Sequence, residues 1–159
     1  MTTRHGVLVA MSGSGVLLTG DSGTGKSELA LQLVRRGHAL VADDAPELSI
    51  ESGRLIGRSS RALAGKLQLR GVGVVNLEAL HGPDALQPRS TVDLIIQLSR
   101  RAEADARPLS GSQPGRTTLL GIPLPCWTVP VDRAPASPEL IELAVALVTR
   151  NAGATSAWN

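Results

Sequence analysis

The sequence predicts an α/β domain, a mixed β-sheet with flanking helices, on three observations. Short apolar runs closed by Gly, Ser or Asp recur along the chain as strands do. Two stretches, from Ser27 and from Pro138, carry apolar residues at helical spacing. A glycine-rich octapeptide stands between a strand-like run and the first of these helices, the succession from which α/β units are built. The length of 159 residues suits one domain, with residues 1–150 as its body and 151–159 as a flexible tail.

Taken in order, Gly6–Met11 and Val16–Thr19 read as a hairpin, since both are apolar and Ser12-Gly13-Ser14-Gly15 between them is turn chemistry. From Ser27 to Arg36 the pattern is helical: Leu29, Ala30, Leu33 and Val34 share a face, Arg35 and Arg36 suit the C-terminal dipole, and Gly37 caps the end. Ala39–Ala42 is a short buried strand that delivers Asp43 and Asp44 to its C-terminal edge. Leu48–Ile56 is expected to form a second hairpin about Glu51-Ser52-Gly53. Gly57–Lys66, with Arg58, Arg61 and Lys66 and little periodicity, reads as a mobile basic surface segment. Val92–Leu98 is a strand, and the arginine-rich stretch from Ser99 to Arg116 an exposed loop. Thr117–Leu120 and Trp127–Val131 are strands joined by a Gly121–Pro125 turn. Ser137 caps a last helix that starts at Pro138 and carries Leu140, Leu143, Ala144, Leu147 and Val148 as one stripe.

Charge narrows the range of partners. Sixteen Lys and Arg stand against fourteen Asp and Glu, and the chain has two Trp but no Phe or Tyr. A concentrated basic face with stacking aromatics is missing, so no nucleic-acid partner is expected. No apolar run approaches the ~20 residues that span a bilayer. Met1–His5 lacks the sections of a signal peptide, and the lone Cys126 has no internal disulfide partner, which together point to the cytoplasm. Cys126 reads as a buried structural thiol.

Gly20-Asp21-Ser22-Gly23-Thr24-Gly25-Lys26-Ser27 matches the Walker A pattern in full, after a strand and before a helix. The glycines let main-chain N–H groups turn toward one anion, and the helix start adds its positive dipole. Lys26 supplies a mobile charge near the β- and γ-phosphates, and the Ser27 hydroxyl is placed to ligate Mg2+. The ligand class is therefore a nucleotide with magnesium. Such loops serve kinases, ATPases, GTPases and passive sensors, so the reaction rests on other residues.

Asp43 and Asp44 follow Ser27 by sixteen and seventeen residues, so one helix and one short strand return them to the phosphate loop. Adjacent strand residues face opposite ways, which predicts different jobs. One carboxylate reaches the magnesium shell, Asp43 in the simplest assignment, and the other accepts a proton from an incoming hydroxyl.

His5-Gly6-Val7, the Gly20–Ser27 loop, Arg36-Gly37-His38, Val41-Ala42-Asp43-Asp44 and the run from Leu69 to Asn76 resemble the HPr kinase/phosphorylase family. Leu120-Gly121-Ile122-Pro123 and Thr128-Val129-Pro130-Val131 extend the likeness, which covers the family's catalytic domain and not its N-terminal one. The resemblance implies a P-loop kinase domain of the HPr kinase type, in a bacterial protein-serine kinase that uses ATP on a seryl hydroxyl of HPr, the phosphocarrier of the sugar phosphotransferase system. It also implies reversal with inorganic phosphate and a homo-oligomer, a hexamer in the family. Lys26 then stabilises the transferred charge, Asp44 with Asp43 beside it is the base, His5 lies near the reaction centre and Arg70 holds phosphate. The likeness departs at two places. Gln68 stands where the family carries a magnesium-binding glutamate, so the metal leans on Ser27 and an aspartate. Asp132-Arg133-Ala134-Pro135-Ala136 replaces an Arg-Pro-Gly-Arg-Asn run. An ATP-binding regulatory module, a small-molecule kinase and an ATPase remain as alternatives.

Overall fold

The computed structural model describes residues 2–60, 64–100 and 114–151. In chain order the elements are β1 (Thr2–Thr3), β2 (Val7–Met11), β3 (Ser14–Gly20), α1 (Lys26–Arg35), β4 (Ala39–Ala42), β5 (Glu47–Glu51) and β6 (Arg54–Arg58). There follow β7 (Lys66–Leu69), β8 (Gly73–Asn76), α2 (Leu77–His81), a short 3-10 helix at Pro83–Ala85, β9 (Arg89–Thr91), β10 (Leu94–Ser99), β11 (Gly115–Leu119), β12 (Ile122–Pro130) and α3 (Pro138–Asn151).

A mixed six-stranded sheet in the order β11-β12-β10-β3-β2-β4 forms the centre. β10 runs parallel to both β3 and β12, whereas the β2–β3 and β11–β12 hairpins are antiparallel. The central strands are apolar on both faces, as a sheet covered on both sides requires. Alternate residues divide between two cores. Val7, Val9, Val16, Leu18, Ile96 and Trp127 meet the stripes of α1 and α3. Leu8, Ala10, Leu17 and Ile95 face the other way, onto Leu48 and Leu55 of a second, antiparallel sheet ordered β1-β5-β6-β9. The expected α/β class is present, with α1 and α3 on one face and the small sheet on the other.

Three hairpins turn on X-Gly pairs with both residues at positive φ: Ser12-Gly13, Ser52-Gly53 and Leu120-Gly121. Those values are the type I′ geometry that matches strand twist. α1 ends as its sequence foretells, with the Gly37 N–H donating to the Val34 carbonyl. The Ser137 hydroxyl accepts from the Leu140 N–H at the head of α3.

Several expectations need correction. The Gly57–Lys66 segment is not a surface loop at its ends: Gly57 and Arg58 complete β6, Lys66 opens β7, and residues 61–63 lie outside the described residues. A side chain at Gly57 would meet Leu8 Cδ2 at 2.4 Å, so this glycine lets β6 lie close on β2. The turn expected over Gly121–Pro125 is confined to Leu120-Gly121, and β12 already runs from Ile122. Pro123 and Pro125 fit that strand because β10 pairs with it only from Cys126 onward. Gly115 and Arg116 belong to β11, while residues 101–113 of the arginine-rich stretch lie outside the described residues. α3 includes Asn151, and the rest of the expected tail, 152–159, is likewise outside them. The strand pair β7–β8, α2 and β9 were not anticipated. Among the described residues no helix is long and apolar enough to cross a membrane.

Candidate active site

The glycine-rich loop Gly20–Ser27 joins β3 to α1, and its chemistry begins with the room its glycines leave. A side chain at Gly20 would meet the Leu98 carbonyl at 2.5 Å and Thr24 Oγ1 at 2.8 Å, so only glycine lets β3 end against β10 here. Thr24 closes the loop, its hydroxyl donating to the Asp21 carbonyl at 2.8 Å. Gly25, at φ 94°, precedes α1, whose first bond runs from the Leu29 N–H to the Gly25 carbonyl. Lys26 folds back over the loop, with Nζ donating to the Gly20 and Asp21 carbonyls at 2.7 and 3.0 Å. Burial lowers the Lys26 ammonium from its usual value, against the opposing pull of Asp21, Asp43, Asp44 and Glu28.

Both aspartates stand just past β4 rather than within it, which corrects the argument from strand alternation. They diverge because Asp44 adopts φ 70°, a left-handed conformation that Asp tolerates better than most residues. The Asp44 carbonyl accepts from the Gly6 N–H at 2.7 Å, which ties that turn to the N-terminal segment. Asp43 turns toward α1: its Oδ1 accepts from the Ser27 hydroxyl at 3.1 Å and from the Asp44 N–H at 2.9 Å. Its Oδ2 accepts from the Gln68 N–H at 2.9 Å. Asp44 projects outward, with Oδ1 at 3.5 Å from His5 Nδ1.

The β7–β8 hairpin closes the far side and brings Gln68 and Arg70 to the loop. Its Gly71 and Gly73 have φ 81° and 98° and open space around them, so they serve the turn and not a close backbone approach. His5, Lys26, Ser27, Asp43, Asp44 and Arg70 line one cavity of about 770 Å³, together with Gln68 and the crest of the loop. A second cavity of about 390 Å³ opens beyond the crest, between α1 and the Asp132–Ala136 segment. The two share Gly23, Gly25, Glu28 and Arg70. Every candidate side chain named from the sequence outside the loop therefore borders the larger cavity; within the loop, Thr24 faces the second cavity, and Gly20 and Asp21 border a third on the other side of β3.

The family model described as the HPr serine kinase C-terminal domain matches residues 1–158. The chain belongs to that family. A solved structure titled as the Hpr(Ser) kinase/phosphatase from Coxiella burnetii superposes with a TM-score of 0.82 and 34% identity, covering 92% of this chain and 89% of that one. Among curated relatives named HPr kinase/phosphorylase, the Treponema pallidum (strain Nichols) protein is 39% identical over 88% of this chain and 44% of its own length. The Clostridium tetani protein is 36% identical over 98% of this chain and 51% of its own length. The chain thus spans about half the length of the curated relatives it matches.

Sequence reasoning missed one polar neighbour of this HPr kinase family site. Arg100, just beyond β10, donates from one guanidinium nitrogen to the carbonyls of both Gly23 and Ser22. It stands beside Arg101 at the start of an arginine-rich stretch, and no spacing separates it from its neighbours there.

Proposed function

We propose that this domain binds ATP with magnesium and moves the γ-phosphoryl group onto a seryl hydroxyl of HPr, the acceptor in the names its relatives carry. The observation that carries this reading is the separation of the two carboxylates. Asp43 is tied to Ser27 beside the loop, while the exposed Asp44 carboxylate, 3.5 Å from His5 Nδ1, faces an incoming group across the same cavity.

Donor chemistry fits ATP and the ion. The loop amides and Lys26 take the phosphates, and the second cavity receives the nucleoside. The Ser27 hydroxyl and the Asp43 carboxylate, 3.1 Å apart, are two hard oxygens of the kind Mg2+ takes beside phosphates and water. When bound, the ion neutralises charge between the β- and γ-phosphates. In the transfer the Asp44 carboxylate accepts the proton of the seryl hydroxyl as its oxygen bonds to phosphorus. The bond from phosphorus to the bridging oxygen breaks, and ADP leaves with that electron pair. His5 orients Asp44 and relays the proton to solvent. In the phosphorolysis inorganic phosphate takes the place of ADP: its oxygen bonds to the phosphorus of the phosphoserine, the bond from phosphorus to the seryl oxygen breaks, Asp44 returns the proton to that oxygen, and pyrophosphate leaves. Residues 1–150 act as a single catalytic unit in the cytoplasm, assembled as a homo-oligomer.

A second reading, a nucleotide-binding module without transfer, draws on Gln68, a neutral amide bordering the cavity where the family resemblance implies a carboxylate metal ligand. Incubation with γ-labelled ATP, magnesium and purified HPr separates the two. Label on HPr serine is expected, and label that never leaves ATP gives the second reading.

A further inference from the structure

The crest of the phosphate loop carries two guanidinium groups from opposite sides. A side chain built at Gly23 would meet a nitrogen of Arg100 at 2.6 Å and one of Arg70 at 2.7 Å. The two cations therefore converge on a single point above the loop. Neither has a carboxylate partner among the described residues, although ion pairs elsewhere join Arg36, Arg54, Arg58 and Arg89 to acids. Like charges held this close raise each other's energy, and an anion between them removes that cost. Both side chains are exposed and border the second cavity, and Arg70 borders the larger one as well. A triphosphate running from the second cavity along the loop amides toward Asp44 passes beneath this pair.

We propose that Arg100 is a phosphate-contacting residue that, with Arg70, brackets the terminal phosphate above Gly23, as a guanidinium supplied from the chain itself. The inference rests on the nucleotide reading above. Arg100 donates from one guanidinium nitrogen to the Ser22 and Gly23 carbonyls, which holds the group at the crest. A small rotation of its long side chain exchanges those carbonyls for phosphate oxygens, which bind a guanidinium more strongly because they are charged. The contact is made to the group that carries the developing charge in transfer, so it strengthens in the transition state.

The test compares the unaltered domain with Arg100→Ala and Arg100→Lys, using Mg-ADP and a magnesium-bound non-hydrolysable ATP analogue in calorimetry, then label transfer to HPr. Arg100→Ala is expected to lose about tenfold or more in affinity for the triphosphate analogue, with ADP affinity within about threefold. Its kcat is expected to fall by ~100-fold or more. Arg100→Lys keeps the charge without the fork and is expected to recover part of the binding and little of the rate. Equal weakening of ADP and analogue would show that Arg100 only shapes the loop or touches the nucleoside, and the proposal falls. It falls too if neither binding nor kcat changes. Should the unaltered domain bind neither nucleotide, the underlying nucleotide reading fails along with it.

Discussion

Asp43 and Asp44 are chemically identical, and what distinguishes them is the backbone that presents them. Asp43 accepts hydrogen bonds from the Ser27 hydroxyl and from the main chain of residues 44 and 68, so its carboxylate is fixed beside the start of α1. The Asp44 side chain, turned by its positive φ, meets the exposed ring of His5. Asp44→Asn keeps the turn and removes the proposed proton acceptor, so on the kinase reading transfer to HPr is expected to fall by ~10²–10⁴ while calorimetric ATP affinity stays unchanged. Full transfer by that variant would remove Asp44 from the role of base. Lys26→Ala acts on the other partner, and its ATP affinity is expected to drop by at least about tenfold in the same titration. Gln68→Glu adds a carboxylate to the cavity that Asp43 and Ser27 line, on the residue whose main-chain N–H meets Asp43. The magnesium concentration that half-saturates transfer is expected to fall, and no shift would place residue 68 outside the metal shell. The loop residues were legible because eight consecutive positions carry the whole motif. Arg100 was not, since it reaches Gly23 across 77 residues of sequence.

Helices α1 and α3 are held together at the end remote from the loop by a small charged cluster. Arg36 donates to both Glu139 and Glu142, and His38 Nε2 lies 2.8 Å from Glu142 Oε2. Hydrogen bonds from Arg36 and then His38 hold the Glu142 carboxyl down from 4.5 to about 2. A carboxyl depressed in the folded state adds stability that is complete above its unfolded pKa and disappears as pH falls through the folded one. Glu142→Gln is therefore expected to lower the urea midpoint at neutral pH. The gap between variant and parent should close progressively as pH drops from about 4.5 toward 2. A gap that stays constant over that range would mean the carboxylate contributes nothing through these partners. The helices themselves were readable from their stripes and caps, while the pairing of Arg36 with Glu142 depends on how the two helices dock.

Across the whole molecule, the two sheets are joined where the chain passes from β9 into β10. Gly15 of β3 receives that crossing: its N–H donates to Asp93 Oδ2 at 2.9 Å, and its carbonyl accepts from the Asp93 N–H at 2.8 Å. A side chain at Gly15 would lie 1.6 Å from the Thr91 carbonyl oxygen, which is backbone and has no rotamer to yield. Gly15→Ala is expected to destabilise the domain by about 3 kcal/mol or more, read from urea denaturation. A loss below about 1 kcal/mol would mean the small sheet shifts freely on the large one. In the sequence this glycine looked like one more turn residue, because its neighbour Thr91 is remote along the chain.

The sequence by itself determined the features that need only neighbours along the chain: the glycine-rich loop between β3 and α1, the apolar stripes of α1 and α3, the Ser12-Gly13 and Ser52-Gly53 turns, and the return of two aspartates after one helix and one strand. Each follows from local backbone preference or from periodicity, which act over a few residues. Only the tertiary structure decided that Asp43 joins Ser27 while Asp44 turns to His5, that Gln68 and Arg70 come in on a hairpin, and that Arg100 closes over Gly23. Those contacts form between segments whose separate patterns carry no record of each other, and packing of the two sheets and the helices brings them together.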